Sequence, residues 1–284
     1  MSEILWGAPV AQAIRESLTE RVASLQSAGC TPCLALLRCG EDPGALFYER
    51  SATKACDKVG IRLKSIRLPW TTGTAELLRE LERVNNDPDV HGILVLRPLP
   101  RRIDTERVFG ALRPEKDVDG ITVPSLARTF VGRGTGFAPC TAEACLAMLD
   151  HYGIRLEGAN VAIIGRSLIV GRPLSMLLSA RDATVTLCHS KTRALPAICR
   201  GADILVSTAG RAALVDERFV HSGQIILDVG VNESFDGKIC GDVAFDAVSP
   251  LVRGISPVPG GVGTVTTMLL ARHVVEAAEA QAQL

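Results

Sequence analysis

The stretch from Asn160 to Pro173, NVAIIGRSLIVGRP, decides the fold. Its first part, NVAIIG at 160–165, is short and apolar on both faces, as buried strands of a parallel sheet are. A glycine-containing loop and the start of a helix follow, where a dinucleotide pyrophosphate would meet backbone N–H groups. Ser167 stands near the place of the second glycine of GxGxxG, so this motif alone is weak. A tight strand-to-helix turn without ligand is the alternative.

The rest of the second half continues this alternation. A helix at 142–152 precedes the first strand, and further strands are predicted at 183–189, 203–208 and 224–230. A last helix at 264–280 follows the loop SPVPGGVG. Short apolar strands separated by helices predict a doubly wound parallel sheet.

The first half shows the same alternation. Helical spacing of apolar residues, such as Val10, Ile14 and Leu18, predicts a helix at 9–28. The elements predicted after it are a strand at 33–39, a helix at 43–59, a strand at 61–67, a helix at 74–86, a strand at 92–96 and a helix at 104–112, with a less regular stretch at 113–140. The sequence therefore predicts an α/β protein, and 284 residues favour two domains over one.

Composition excludes several classes of function. Acidic and basic residues number 31 each, which gives no basic footprint for nucleic acid and no charged tail for a membrane surface. No apolar run reaches the roughly 20 residues that cross a bilayer. The first residues, MSEILWGAPVAQ, lack the pattern of a secretory signal, so we expect a cytoplasmic protein with a small-molecule ligand.

The nine cysteines are scattered through predicted strands and helices, and reduced thiols are expected. Cys30 and Cys33 have CxxC spacing, but no second CxxC or nearby histidine pair completes a metal site. We therefore predict that the protein holds no metal.

The residues after the 183–189 strand indicate which cofactor is bound. An NAD enzyme usually places an acidic residue there to bind the ribose hydroxyls. This chain instead has hydroxyl and cationic groups, in Ser190, Lys191 and Thr192. Such groups suit a 2′-phosphate, which a carboxylate would repel, so NADP is favoured over NAD.

Motifs over nearly the whole chain resemble the FolD type of bifunctional methylenetetrahydrofolate dehydrogenase/cyclohydrolase. They are GEDPGALFYERSATKACDKVGI, DVHGILVLRPLP, PEKDVDGIT, PCTAEA, IIGRSLIVGRPLS, ILDVGVN, GDVAFD and SPVPGGVGTVT. The resemblance implies two Rossmann-like domains around a cleft, a catalytic, folate-binding domain at 1–140 plus 265–284 and an NADP-binding domain at 141–264. It also implies a homodimer that passes hydride from methylenetetrahydrofolate to NADP, after which water opens the methenyl product.

The resemblance assigns roles to individual residues. Tyr48 matches the tyrosine that packs by the pterin, and Asp119 matches the aspartate that hydrogen-bonds the ring. From the residues alone, Tyr48 would be a core aromatic whose hydroxyl contacts solvent, and Asp119 would be a turn residue. Cofactor-binding residues are matched by Gly165, Arg166, Ser167, Ser190 and Val231, and the loop at the cleft by Pro259, Gly260 and Gly261.

Two positions depart from the family pattern. Ala52 stands where the family has its catalytic lysine, and Leu96 where it has the supporting glutamine. Lys54 lies two residues further on, about 200° around a helix, so it points to nearly the opposite face. Because the lysine and the glutamine are absent together, no buried glutamine amide is left without a hydrogen-bond partner. This indicates that the site was remodelled as a whole. Arg97 could supply a replacement cation.

We therefore expect an NADP-dependent methylenetetrahydrofolate dehydrogenase with a weak or lost cyclohydrolase step, because the lysine handles the proton of hydrolysis. One alternative is a fully bifunctional enzyme in which Arg97 or Lys54 takes over proton transfer. Another is a non-catalytic relative that binds folate or nucleotide. A reductase of another cyclic substrate, such as a shikimate-like acid, is a further alternative.

Overall fold

The computed structural model describes residues 2–234 and 237–282. The chain divides into two compact units. The first unit joins the residues up to Ala11 with Thr141–Thr266, and the second joins Gln12–Cys140 with the chain from Thr267 onward. Residues 2–11 lie in the first unit, where the strand Glu3–Ile4 pairs in parallel with Gly254–Ile255.

Strands and helices alternate along most of the chain. The strands are β1 (Glu3–Ile4), β2 (Cys33–Cys39), β3 (Arg62–Leu68), β4 (Gly92–Val95), β5 (Asn160–Ile164), β6 (Thr184–Cys188), β7 (Ile204–Ser207), β8 (Ile225–Asp228), β9 (Asn232–Glu233), β10 (Ile239–Cys240) and β11 (Gly254–Ile255). The helices are α1 (Gly7–Ser27), α2 (Pro43–Asp57), α3 (Thr74–Asn85), α4 (Thr105–Ala111), α5 (Val123–Val131), α6 (Cys140–His151), α7 (Gly171–Ser179), α8 (Leu195–Arg200), α9 (Phe245–Val248) and α10 (Val262–Ala282).

The first unit is built on a parallel sheet with the strand order β1-β11-β8-β7-β5-β6. From β5, the chain adds β6 on one side and β7, β8 and β11 on the other, so the strand order reverses next to β5. Ligands of doubly wound sheets bind at such a point, outside the carboxyl ends of the strands. The strands β5, β7 and β8 are almost entirely buried, whereas β6 is the edge strand and is partly exposed.

The second unit is built on the parallel sheet β3-β2-β4. One face of its central strand β2 packs with α3 and α4 in a hydrophobic core that includes Leu37, Leu81 and Val108. On β4, a Cβ added to Gly92 would lie 2.7 Å from Val118 and 3.0 Å from Val274 of α10. The end of α10 also contacts α1, since Glu279 accepts hydrogen bonds of 2.8 and 2.6 Å from Arg21.

The predicted elements agree with the structure to within a few residues, but the structure also contains elements that were not predicted. The stretch 113–140, predicted to be irregular, contains α5, which begins after the N-cap Thr122 and ends at Gly132 with a φ of +78°. The hairpin β9–β10 and the two-residue strands β1 and β11 were not predicted, because runs this short carry no periodic signal.

Within 2–234 and 237–282, no helix is both long and apolar enough to span a membrane. The same residues contain no group of three or more His, Cys, Asp or Glu side chains that could hold a metal ion.

Candidate functional site

The loop between β5 and α7 leaves no room for side chains at two of its glycines. Gly165 has a φ of +122°, and a Cβ there would lie 2.1 Å from Oγ1 of Thr208. A Cβ at Gly171 would lie 2.0 Å from the carbonyl oxygen of Gly165. The loop therefore brings bare backbone to the start of α7, which is the arrangement that holds a pyrophosphate.

Ser167 shapes this loop through its hydroxyl and its carbonyl. Its Oγ accepts a hydrogen bond of 3.1 Å from the N–H of Val170, and its carbonyl accepts one of 3.1 Å from the N–H of Arg172. The side chains of Arg166 and Ser167 are exposed. A serine thus closes the turn where the generic motif has a glycine.

The turn after β6 presents exposed hydroxyl and ammonium groups. Ser190 and Lys191 are both exposed, and Thr192 Oγ1 accepts a hydrogen bond of 2.9 Å from the N–H of His189. The N–H of Lys191 donates to Nδ1 of His189 at 3.1 Å. These contacts fix a compact turn beside the Gly165 loop, since the N–H of Gly165 donates to the carbonyl of Cys188 at 2.9 Å.

The other predicted residues of the first unit follow the carboxyl ends of β8 and β11. Val231 is 71% exposed, so its apolar side chain is available to a ligand. Pro259 follows a cis peptide bond, and Gly260 has a φ of +103°. A Cβ at Gly261 would lie 2.5 Å from the carbonyl oxygen of Pro257. The parallel sheet therefore brings all the predicted cofactor and loop residues to one edge.

A buried carboxylate that the sequence analysis did not single out holds these loops together. Asp242 is fully buried and accepts hydrogen bonds from the segments that follow β7 and β8. The donors are Ser207 Oγ (2.9 Å), Ala209 N (2.6 Å), Gly210 N (3.3 Å), Arg211 N (2.8 Å) and Asn232 Nδ2 (3.0 Å). Its only sequence signal is the motif GDVAFD, which does not show what the aspartate contacts.

Asp228, at the end of β8, extends the same network. Its carboxylate accepts hydrogen bonds from the N–H groups of Gly230 (3.0 Å), Asp242 (3.0 Å) and Val243 (2.9 Å). Burial raises the pKa of Asp228 to about 6, although these three backbone donors favour its ionised form. The two carboxylates satisfy N–H groups that would otherwise be buried without partners.

In the second unit, Asp119 lies close enough to Tyr48 to affect its hydroxyl electrostatically. Burial raises the pKa of the Tyr48 hydroxyl well above its ordinary value, and the Asp119 carboxylate raises it further. Burial raises the pKa of Asp119 to about 6, and the exposed guanidinium of Arg97 opposes this shift. The structure thus brings together Tyr48, Asp119 and Arg97.

Two other side chains, not singled out from the sequence, hold the turn that carries Asp119. Asp117 is fully buried, and its carboxylate accepts hydrogen bonds from the turn and from α5. The donors are Gly120 N (3.1 Å), Ile121 N (3.2 Å), Thr122 N (2.8 Å) and Ser125 Oγ (2.6 Å). His273 of α10 lies with Nδ1 2.8 Å from the carbonyl oxygen of Val118.

The two positions expected to depart from the family pattern are buried and apolar. Ala52 is 0% exposed and Leu96 is 3% exposed. Lys54 is exposed, as its 200° rotation from Ala52 predicts. Lys54 therefore points away from the side of α2 that carries Ala52.

We predict that Asp242→Ala lowers the free energy of unfolding by roughly 3 kcal/mol or more, because it strands several buried N–H groups. Urea denaturation measures the change. The matched control is Asp246→Ala, which removes an exposed aspartate and should cost less than about 0.5 kcal/mol. Equal losses in the two variants would show that the Asp242 network does not stabilise the unit.

Comparison with known proteins shows the family. Residues 5–119 match the model of the tetrahydrofolate dehydrogenase/cyclohydrolase catalytic domain, and residues 139–282 match that of its NAD(P)-binding domain. Bifunctional protein FolD 1 of Desulfitobacterium hafniense (strain Y51) is 44% identical over 281 residues, covering 99% of this chain and 100% of that protein.

Two solved structures have the same fold over almost the whole chain. The bifunctional FolD enzyme of Campylobacter jejuni superposes with a TM-score of 0.95 at 38% identity, covering 99% of both chains. The Trypanosoma brucei FolD enzyme, complexed with NADP and an inhibitor, has a TM-score of 0.94 at 34% identity, covering 100% of this chain and 99% of that one. This chain belongs to the tetrahydrofolate dehydrogenase/cyclohydrolase family.

Proposed function

We propose that the chain oxidises 5,10-methylenetetrahydrofolate to 5,10-methenyltetrahydrofolate with NADP, and that its cyclohydrolase step is weak or lost. The observation that carries the proposal is the contrast between two sets of residues. The pair Tyr48 and Asp119 and the loop at Gly165 are all present, whereas Ala52 and Leu96 are buried apolar residues at the positions of the expected lysine and glutamine. A homodimer and a cytoplasmic location are part of the proposal.

NADP binding is assigned to the first unit and folate binding to the second. The backbone of the Gly165 loop and the N-terminus of α7 fit the pyrophosphate, because no side chain fits at Gly165. Ser190 and Lys191 offer a hydroxyl and a cation to the 2′-phosphate. The NADP in the Trypanosoma brucei structure supports this choice of cofactor.

Folate is held by Tyr48 and Asp119 in this proposal. An ionised Asp119 accepts two hydrogen bonds from the aminopyrimidine edge, which orients the ring, and Tyr48 packs beside the pterin. The chemistry that NADP supplies when bound is acceptance of the hydride from the methylene carbon. The contribution of this chain to that step is positioning, which needs no proton-transfer group.

Hydrolysis of the methenyl product, unlike hydride transfer, requires a group that transfers protons. Water must lose a proton as it attacks, and the ring nitrogen must be released as a neutral amine. Ala52 and Leu96 can neither donate nor accept a proton, and Lys54 lies on another side of α2. The exposed guanidinium of Arg97 offers hydrogen-bond donors and no acceptor, which makes it a poor general base.

A fully bifunctional enzyme is the second candidate function. It is favoured by the relatives of similar length that are named bifunctional, and by the position of Arg97 near Tyr48 and Asp119. In that case Arg97 would stabilise charge on the hydrolytic transition state, and Arg97→Met would abolish hydrolysis but retain NADPH formation.

The experiment that tests the proposal follows NADPH and methenyltetrahydrofolate together after the protein is mixed with methylenetetrahydrofolate and NADP. We expect both to rise in equal amounts. The methenyl product should then disappear no faster than it hydrolyses in buffer alone. NADPH formation without methenyl accumulation would contradict the loss of hydrolysis. The absence of NADPH, despite ligand binding, would support the non-catalytic alternative.

Restoring the two polar residues should restore hydrolysis. We predict that Ala52→Lys combined with Leu96→Gln raises methenyltetrahydrofolate hydrolysis at least about tenfold above wild type, because a general acid–base group typically contributes more than that. The matched control is Ala52→Lys alone, which should gain less because its amine has no amide partner. Dehydrogenase activity checks that both variants fold. No gain in the double variant would show that other residues block hydrolysis.

Folate affinity should depend on the protonation of Asp119. Burial raises the pKa of this carboxyl to about 6, so Asp119 is ionised at pH 7.5 and largely protonated at pH 5. Because only the ionised form accepts both hydrogen bonds, we predict tetrahydrofolate binding about tenfold weaker at pH 5 than at pH 7.5. Calorimetry measures the two dissociation constants.

Asp119→Asn is the control for this pH dependence. It should bind tetrahydrofolate weakly and equally at both pH values, although Arg97, Asp117 and His273, which also influence the site, are unchanged. A wild-type protein with the same affinity at pH 5 and pH 7.5 would contradict the role given to Asp119.

A further inference from the structure

A buried ion pair lies at the end of β2, next to the helix that carries Tyr48. Nε of Arg38 donates to Oε2 of Glu49 at 2.6 Å, and the two side chains are 7% and 9% exposed. The exposed Arg67 lies 3.5 Å from Oε1 of Glu49. Burying two charges costs free energy that their attraction often does not recover, and apolar residues of similar volume commonly stabilise as well. The pair is therefore better explained by geometry than by stability.

Arg38 joins three segments through one guanidinium group. Besides Glu49 in the second turn of α2, it donates to the carbonyl oxygen of Gly40 in the loop that connects β2 to α2. Gly40 has a φ of +74°, and a Cβ there would lie 2.7 Å from the ring of Trp70. The strand end, the loop and the helix are thus tied together one residue away from Tyr48.

The pair also adjoins both positions that lack polar side chains. Leu37 pairs with Val95 in the β2–β4 ladder, so the next residues, Arg38 and Leu96, lie side by side on the same face. Glu49 and Ala52 are three residues apart in α2 and so are neighbours on its surface. A lysine at 52 and a glutamine at 96 would have provided polar contacts next to this pair.

We propose that Arg38 and Glu49 are positioning residues, whose ion pair holds α2 so that Tyr48 keeps its folate-binding orientation in a site without the lysine and glutamine. This inference rests on the proposed function, since it takes folate to be the ligand of Tyr48. It assigns the pair no contact with substrate, because both side chains are buried.

A set of three variants separates positioning from stability. Arg38→Met leaves the buried Glu49 carboxylate with only the exposed Arg67 as an ionic partner, and Glu49→Leu leaves the buried Arg38 without its carboxylate, so each should lower the melting temperature. The double variant R38M/E49L removes both charges and should melt within a few degrees of wild type. Because the tie between β2, the loop and α2 is gone, we expect the double variant to bind tetrahydrofolate about tenfold more weakly.

Kinetics and Tyr48 provide the readouts that a stabilising pair would not change. The KM for methylenetetrahydrofolate should rise in the double variant while kcat stays within about twofold, because binding of substrate and transition state weakens equally. Tyr48→Ala should weaken tetrahydrofolate binding about tenfold in the wild-type background but less than about twofold in the double variant. Arg67→Met, which removes the exposed partner of Glu49, is the matched control and should bind as wild type.

A double variant that binds tetrahydrofolate as tightly as wild type shows that the pair is only structural and overturns the inference. If the double variant does not fold, Arg38→Lys replaces it. This variant keeps the charge but loses the forked guanidinium that donates to both Gly40 and Glu49. An unchanged affinity for tetrahydrofolate in Arg38→Lys would also overturn the inference. A wild-type protein that does not bind tetrahydrofolate at all would overturn the proposed function itself, and the inference with it.

Discussion

The parallel direction of the strands in the first unit is the constraint on which its site depends. Because β5, β6, β7, β8 and β11 all run the same way, the segments that follow them meet at one edge of the sheet. That crowding leaves many backbone N–H groups without strand partners. Asp242 and Asp228 provide acceptors for them, so two buried carboxylates stabilise the loops.

In the second unit, the buried carboxylate of Asp117 likewise provides an acceptor for backbone N–H groups of a loop. In the proposed function Asp119 faces the folate, and the turn that carries it is held by two side chains. Asp117, two residues earlier, accepts hydrogen bonds from the N–H groups of the turn, and His273 of α10 contacts the carbonyl of Val118. In both units, buried carboxylates accept hydrogen bonds from the backbone of the loops.

In the proposed function, Ala52 and Leu96 stand in place of a lysine and a glutamine. Both replacements are buried and apolar, so neither leaves a polar group without a partner. Polar contacts on that face of the sheet come instead from Arg38 and Glu49. Such a site can orient a ligand but has no proton-transfer group at these two positions, which is the basis of the proposed dehydrogenase with a weak hydrolytic step.

The sequence by itself determined the alternation of strands and helices, the loop at Gly165 and the apolar character of positions 52 and 96. These are local properties, because periodicity, turn residues and motif spacing act within a few residues of the chain. Only the tertiary structure decided the partners of Asp242, which lie 10 to 35 residues away, and the place of β1 in the first unit. It alone also decided that Arg38 meets Glu49, since a hydrogen bond between a strand end and a helix turn depends on how the two elements pack. Packing geometry is a property of the whole fold, and no short stretch of sequence encodes it.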